Sequence, residues 1–433
     1  MADTLAPLDR KFIGDSAWTY GAFAVMAGTG LVLNFFIAGY FGTTTLGVFN
    51  QIYAVYVVCA QLAVFGVHDS VQKYVAEHAD QPQTRASICL SAVLLALSIG
   101  LLTAVLIYGL SAEIGRLASS PAVGAGLALA APGLVLFALN KVLLGILNGE
   151  RRMKAFALAQ VTRVLSILAF TGGVAISGGP ESALGAGFSI AELVIIGPVL
   201  IITRPWSGGA MADFKSWLGR HWRFGCRAIA NGFLAESYIR VDVIMLGLFV
   251  SDHEVGLYSF AALFIEGLYQ VPVVIRTVVN PILVRLILAG HPLALARFSR
   301  RIMALSMAVF IPIGLAVVFL FPVLAPFFPD GLVRDSYPVL ITVLAGLAVY
   351  AAFIAVDFSL LQGGMPGRQS LLMTGNILIN VILNASLIPL MGIHGAALAT
   401  ALAFIASSLT LNTAAHHWLG LRGGFLFFGL RQR

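Results

Sequence analysis

The chain has 433 residues, of which 59% are hydrophobic and only 10% are charged. Because a soluble globular domain is typically about 25% charged, this composition excludes an ordinary soluble protein and indicates a polytopic membrane protein. The formal net charge of +7 suits a membrane face that meets anionic lipid headgroups. It therefore predicts membrane lipids, and not nucleic acid, as partners.

Twelve apolar stretches are long enough to cross a bilayer, which takes about 20 residues in a helix. A helix pairs all its backbone polar groups within the segment, so we expect an all-α fold with twelve transmembrane helices. In chain order the predicted spans are 17–41, 46–67, 87–110, 122–147, 155–176, 183–202, 228–250, 255–279, 302–325, 337–361, 371–390 and 396–416.

The positions of Lys and Arg predict the orientation of these spans. All but five of the 26 Lys and Arg residues fall in segments that are cytoplasmic if the N-terminus is inside. Arg116 and Arg334 fall outside, and Lys141, Arg163 and Arg240 lie within spans. This asymmetry follows the positive-inside rule, so we expect both termini in the cytoplasm and an even number of spans.

The connecting loops argue against an enzyme. None is as long as the roughly 50 residues that a small domain needs, and the chain has no P-loop, HExxH or GxSxG motif. Its three cysteines lack the spacing of a metal site. We therefore expect a transporter without a metal or another cofactor.

The chain repeats itself. "FGTTTLGVFNQIYAV" after the first span matches "FVSDHEVGLYSFAAL" after the seventh, "LNGERR" matches "LQGGMP", and "ALGAG" matches "IHGAA". The three matches share nearly one offset, which predicts two six-helix halves, 1–218 and 219–433. Parallel repeats of this kind are one architecture of secondary transporters.

The segment "RVDVIMLGLFVSDHEVGLYSFA" resembles the seventh-to-eighth-helix signature of bacterial polysaccharide exporters and lipid-linked oligosaccharide flippases. "FGTTTLGVFNQIYAV" resembles its first-half counterpart, and "MGIHGAALATAL" the penultimate loop entering the last helix. The resemblance covers essentially the whole chain. It implies the fold of the multidrug, oligosaccharidyl-lipid and polysaccharide exporter superfamily, a V-shaped pair of six-helix bundles. In the multidrug branch the first helix often carries an ion-coupling acid, whereas this chain offers only Asn34 there, which favours the flippase branch.

Charged residues inside the predicted spans identify the candidate site. A charge at the bilayer centre costs roughly 2.5 to 3.5 kcal/mol on insertion scales, so it usually marks a transport pathway. The alternative is a structural ion pair between packed helices, and Lys141 and Asp357 lie near enough to span ends to reach the interface. Glu236 and Arg240 are four residues apart, a spacing that favours an ion pair on one helix. The eight residues are Lys141, Arg163, Glu192, Glu236, Arg240, Asp242, Glu266 and Asp357.

From the resemblance together with these residues we predict a flippase that moves a polyprenyl-diphosphate-linked oligosaccharide to the outer leaflet of a bacterial inner membrane. The predicted substrate-binding residues are Arg240, Arg163, Lys141 and Asp242. The candidates for ion coupling are Glu236, Asp242, Glu266, Glu192 and Asp357. Asn376, Asn380 and Asn384 form a polar stripe that is typical of helix packing.

Alternatives remain at this stage. Acids outnumber bases at membrane depth by five to three, which also suits an ion-coupled multidrug antiporter of the same superfamily. A non-catalytic scaffold or a polymerase fits less well, because charge is buried in six spans and large loops are missing. As partners we expect the glycosyltransferases and polymerase of a polysaccharide pathway, and the chain is predicted to act as a monomer.

Overall fold

The computed structural model describes residues 10–207, 213–290, 292–328, 330–421 and 423–426, without the side chains of 10–13, 230–232 and 234–239. These ranges contain helices and no β-strand. The α-helices are α1 (Arg10–Phe36), α2 (Thr43–Val64), α3 (Val67–Glu77), α4 (Pro82–Leu117), α5 (Pro121–Gly149), α6 (Met153–Ser177), α7 (Ala186–Thr203), α8 (Phe214–Phe249), α9 (Asp252–Leu288), α10 (Pro292–Leu320), α11 (Leu332–Ile354), α12 (Ser359–Gln362) and α13 (Pro366–Trp418). A π-helical turn, Ile37–Phe41, and two 3₁₀ segments, Glu181–Gly185 and Phe321–Phe327, complete them.

Every predicted span falls mostly on helix, although the span 337–361 includes the turn 355–358 between α11 and α12. Within the described residues, ten helices are long and apolar enough to cross a membrane. The longest, α13, is broken at Gly392, where φ is 56° and ψ is −133°, a backbone conformation that glycine adopts without steric cost. Its two parts contain the last two predicted spans. Helix α8 contains most of the span 228–250 but is not one of these ten helices, so the count of twelve spans stays a prediction. The prediction of an all-α, polytopic membrane protein is confirmed.

Local sequence signals set several helix starts. At α5, Ser120 precedes Pro121, and its hydroxyl accepts a hydrogen bond from the backbone N–H of Val123 at 3.3 Å. At α9, Ser251 and Glu254 form a reciprocal capping box. Such caps satisfy backbone N–H groups that have no partner inside the helix, so these helices begin at defined residues.

The chain divides into two compact units. The first comprises Met1–Phe41 and Val48–Arg240, and the second comprises Gly42–Gly47 and Val241–Arg433. Because α8 is continuous from Phe214 to Phe249, this division falls inside a helix. The boundary between the halves at residue 218 stays a prediction.

Each unit is a layered packing of helices. In the first, α5 packs against α4, α7 and α3, and α6 packs against α1 and α7. In the second, α11 packs against α13, α9 and α10. Large apolar side chains remain on the surface, including Leu102, Ile176 and Leu390, which are 70%, 91% and 80% exposed. An apolar surface of this kind suits contact with lipid.

The repeated turn motif has a reciprocal contact in the second unit. A Cβ on Gly47, at the start of α2, would overlap the carbonyl oxygen of Asp252 at the start of α9. Conversely, a Cβ on Gly256 would overlap the carbonyl oxygen of Thr43. The equivalent glycines of the two repeats therefore allow the same close backbone approach, which supports the internal repeat.

Candidate functional site

A cluster of five aromatic rings lies in the first unit. We define it as the aromatic cluster, comprising Phe49, Tyr53, Tyr56, Phe137 and Phe188. The ring of Phe188 stacks with those of Phe49, Tyr53 and Tyr56, at centroid distances of 5.5, 5.7 and 4.9 Å. Phe137 meets Tyr56 edge to face at 6.1 Å. The three rings on α2 recur at i, i+4 and i+7, so one face of this helix presents all of them.

The aromatic cluster brings together the three predicted substrate-binding cations. The guanidinium of Arg240 lies 4.8 Å from the ring centre of Tyr53. The guanidinium of Arg163 and the ammonium of Lys141 lie 5.1 and 5.7 Å from the ring centre of Phe137. All three distances are within the range of cation–π attraction. Arg240, Arg163 and Lys141 are each half-buried.

A buried polar group also belongs to the aromatic cluster. The side chain of Tyr56 is 4% exposed, and among the described residues its hydroxyl has no hydrogen-bond partner. Buried hydroxyls are nearly always bonded to protein or to ordered water. The Tyr56 hydroxyl can therefore bond to a water molecule or to a polar ligand group.

Arg163 is already paired with an acid. Its Nε lies 2.7 Å from Oε1 of Glu192, and its Nη1 donates to Oε1 of Gln160 at 2.7 Å. The amide of Asn140 donates to Oε2 of Glu192 at 2.7 Å and to the Glu192 carbonyl at 2.9 Å. Glu192, a predicted ion-coupling residue, is thus held by both a cation and a neutral amide. This arrangement matches the alternative that some membrane charges are structural ion pairs.

Asp242 lies in the second unit within a buried hydrogen-bond network. Its Oδ2 accepts from the hydroxyls of Tyr258 at 3.0 Å and Thr400 at 2.8 Å, and its Oδ1 accepts from the amide of Asn384 at 2.8 Å. The same amide contacts Oδ1 of Asn380 at 2.5 Å. Neutral donors therefore surround this carboxylate on α9 and on both parts of α13. Tyr258 and Thr400 were not identified from the sequence.

Asp357 is paired with Arg276, which was counted among the cytoplasmic cations although it lies near the inner end of the predicted span 255–279. Both its oxygens accept from Nη1 of Arg276, at 2.9 and 2.8 Å. The guanidinium also lies 4.1 Å from the ring centre of Phe358. Arg276 therefore adds a fourth base to the charged residues of the spans.

For the two remaining ion-coupling candidates, Glu266 and Glu236, the structure gives few contacts. Glu266 is half-buried on α9. The side chain of Glu236 lies outside the described residues, so its ion pair with Arg240 stays a prediction.

Comparisons with known proteins agree with this helical architecture. The family model described as "Polysaccharide biosynthesis protein" matches residues 14–287. No curated protein sequence matches the chain.

Among solved structures, the fold is similar to that of the lipid II flippase MurJ in an inward closed conformation. The TM-score is 0.73 at 18% identity, over 93% of this chain and 87% of that one. An inward-facing multidrug resistance MATE family transporter of the MOP superfamily gives a TM-score of 0.71 at 13% identity, over 92% and 94% of the two chains. A MOP superfamily transporter from Pyrococcus furiosus gives 0.61 at 15% identity, over 95% of each chain.

Proposed function

We propose that this chain, which belongs to the family of polysaccharide biosynthesis proteins, translocates a polyprenyl-diphosphate-linked oligosaccharide across a bacterial inner membrane. Its family and fold make it a multi-pass membrane protein of the flippase and transporter type. The proposed direction is from the cytoplasmic to the outer leaflet, for cell-surface polysaccharide synthesis. Translocation by alternating access of the halves 1–218 and 219–433 breaks no covalent bond, so the protein acts as a transporter and not as an enzyme.

The aromatic cluster with its three cations is the observation that carries this proposal. A lipid-linked oligosaccharide combines a diphosphate, sugars and a polyprenyl tail, and each part needs a different contact. Arginine binds phosphate oxygens through two parallel N–H groups, and ring faces offer flat apolar surface. Arg240 and Lys141 would contact the diphosphate, while Tyr53 and Tyr56 would contact the sugars.

Arg240 is the better candidate for the diphosphate than Arg163. Glu192 already neutralises Arg163 at 2.7 Å, so an anion binding there would have to compete with a buried carboxylate. Arg240 lies against the ring of Tyr53, one of the two rings proposed to contact the sugars, so a diphosphate bound there would lie beside the sugar contacts. We therefore assign Arg240 the main role and Arg163 a supporting one.

Ion coupling, if it drives the cycle, would use Asp242. Its buried carboxylate accepts hydrogen bonds from neutral hydroxyl and amide groups and from no arginine among these contacts, so a proton or a cation would supply its counter-charge. Glu192 and Asp357 are weaker candidates, because each already has an arginine partner.

A multidrug antiporter is the second candidate function. It is favoured by the similarity of the fold to a MATE family transporter and by the buried Asp242. Against it, the first helix offers Asn34 in place of an acid, and this amide accepts a hydrogen bond from Nδ2 of Asn50 at 3.1 Å.

Reconstitution of the purified protein into liposomes separates the two functions. The wild type should flip a labelled polyprenyl-diphosphate oligosaccharide and should not exchange a cationic dye for protons. Arg240→Ala should abolish flipping, and Arg240→Lys should recover part of it because it keeps the charge but loses the two-pronged contact. Arg334→Ala, at an exposed position, is the control. Dye exchange without lipid flipping would reject the flippase in favour of the antiporter.

As a flippase of this kind the protein would receive its substrate from glycosyltransferases and deliver it to a polymerase, and it would act as a monomer. Both termini would lie in the cytoplasm, as the positive-inside distribution predicts.

A further inference from the structure

A basic groove lies in the first unit, apart from the aromatic cluster. It has a volume of about 510 Å³ and is lined by Lys73, Tyr74, Arg220, Arg223, Phe224 and Arg227. The first two come from α3 and the others from the first turns of α8. These turns belong to the segment 204–227, which is predicted to lie in the cytoplasm.

The pattern of the sequence explains why the cations converge. In "FKSWLGRHWRFGCR", Trp217, His221 and Phe224 recur at i, i+4 and i+7, so they share one helical face. All three contact the ring of Tyr74 on α3, at centroid distances of 5.1, 5.9 and 6.4 Å. This contact fixes the start of α8 against α3.

Two polar contacts of the buried His221 ring strengthen the packing of α8 against its neighbours. Its Nδ1 lies 2.8 Å from the hydroxyl of Ser70, and its Nε2 lies 3.1 Å from the carbonyl oxygen of Ile88 on α4. Burial lowers the pKa of His221 to about 4, so the ring is neutral at pH 7. His221 therefore adds no positive charge beside the groove.

The arginines occupy a second face of the same turns. Arg220, Arg223 and Arg227 follow at i, i+3 and i+7, a spacing that places like charges side by side and destabilises an isolated helix. In the part of the chain that the structure describes, no ion pair joins these three to a carboxylate. Lys73 pairs with Glu77 at 3.5 Å, and both side chains are half exposed. The groove thus has a large positive excess, which an anion with more than one charge would neutralise.

We infer that the basic groove is the first docking site for the diphosphate headgroup of a lipid-linked substrate on the cytoplasmic side. This inference rests on the proposed function. A headgroup with a single phosphodiester needs one or two of the four cations, whereas a diphosphate presents two adjacent anionic groups to the arginine forks. The rings of Tyr74 and Phe224 supply apolar surface beside the anion. Farther along α8, Arg240 would then receive the same group.

The test is binding of a polyprenyl diphosphate to the purified protein in detergent, followed by native mass spectrometry. Arg220→Gln with Arg223→Gln should weaken binding roughly tenfold or more, the least expected from losing a hydrogen bond to a charged group. Lys73→Gln, on the opposite wall, should weaken it independently. Arg297→Gln with Arg301→Gln, at exposed positions of α10, is the matched control and should bind like the wild type.

One comparison lipid and a flipping assay decide the outcome. Phosphatidylglycerol should bind more weakly than the polyprenyl diphosphate and should respond less to the double substitution. Equal responses would identify a general surface for anionic lipid and overturn the inference. In liposomes, the double variant should raise the half-saturating substrate concentration without lowering the maximal flipping rate, whereas Arg240→Ala should lower that rate. A further outcome is that the wild type flips the substrate while the double variant keeps both the wild-type affinity for the polyprenyl diphosphate and the wild-type half-saturating concentration. That result would refute the docking site and leave the proposed flippase function intact. Absence of flipping by the wild type would instead refute the function.

Discussion

Breaking the Arg163–Glu192 pair should destabilise the first unit, and removing both charges should restore it. The two side chains are only 12% and 3% exposed, and Nε lies 2.7 Å from Oε1. Removing one member of a buried ion pair typically costs 3–5 kcal/mol, because an unpaired charge stays behind. Asn140 still bonds Glu192 through two contacts, so for Arg163→Gln we expect the lower end, about 3 kcal/mol.

The assay is a double-mutant cycle on the purified protein. Arg163→Gln, Glu192→Gln and the double variant are compared with the wild type by thermal unfolding in detergent. On the scale of about 2–4 °C per kcal/mol for soluble domains of this size, a loss of 3 kcal/mol lowers Tm by roughly 6–12 °C. The double variant should return most of this loss, since two neutral amides can share a hydrogen bond.

Additivity is the result that would refute this reasoning. If the two single effects sum to the double effect within about 0.5 kcal/mol, the residues are energetically independent and the contact contributes nothing. Flipping by the double variant tests the other role. Flipping at the wild-type rate would make Arg163 structural, and a stable double variant that does not flip would show that Arg163 contacts the substrate.

Three further predictions concern a second ion pair, the buried His221 and the membrane potential. Arg276→Gln should destabilise the second unit by about 3–5 kcal/mol, and adding Asp357→Asn should recover most of this lost stability. If thermal unfolding shows no recovery, the result contradicts the Arg276–Asp357 ion pair at 2.8 Å. Burial lowers the pKa of His221 from 6.5 to about 4, so between pH 6.5 and pH 4 the unfolded state binds this proton and the folded state does not. The free energy of unfolding should therefore fall on acidification below pH 6.5, by at most about 1.4 kcal/mol per pH unit. His221→Gln should remove that part of the pH dependence, and an unchanged profile would show that the ring is not buried. An inside-negative potential should speed outward flipping, since it favours export of an anion by about 2.3 kcal/mol per charge per 100 mV; a rate in liposomes that is insensitive to the potential would exclude electrophoretic export.

The fold was predictable because hydropathy is a one-dimensional signal. Each span needs about 20 apolar residues, and the chain interrupts them with charges and turn residues, so their positions follow from the sequence. The amphipathic helix α3, Val67–Glu77, was not predicted, because it is short and lies between two stronger apolar signals. The early turns of α8 were assigned to a loop for the same reason, although the spacing of Trp217, His221 and Phe224 was visible.

The charged residues of the site were predictable, but their partners were not. Arg163 and Glu192 lie on different helices, and Arg276 on α9 meets Asp357 in the turn between α11 and α12, so spacing along one helix carries no information about these contacts. Scanning for charge also passed over the aromatic residues of α2. Their i, i+4, i+7 pattern is the signal that could have found the aromatic cluster.

The charged residues at membrane depth differ in their contacts, and these contacts have different consequences for transport. Arg163 and Arg276 each face a buried carboxylate, so each pair is already neutral and its desolvation cost is offset within one unit. Asp242 instead accepts hydrogen bonds from neutral hydroxyl and amide donors, which distinguishes it from the two paired acids as the proposed ion-coupling residue. Arg240 lies within cation–π distance of the ring of Tyr53, which belongs to the aromatic cluster proposed to contact the sugars. A diphosphate bound at Arg240 would place the attached sugars next to these rings, so Arg240 is where we expect the diphosphate to bind.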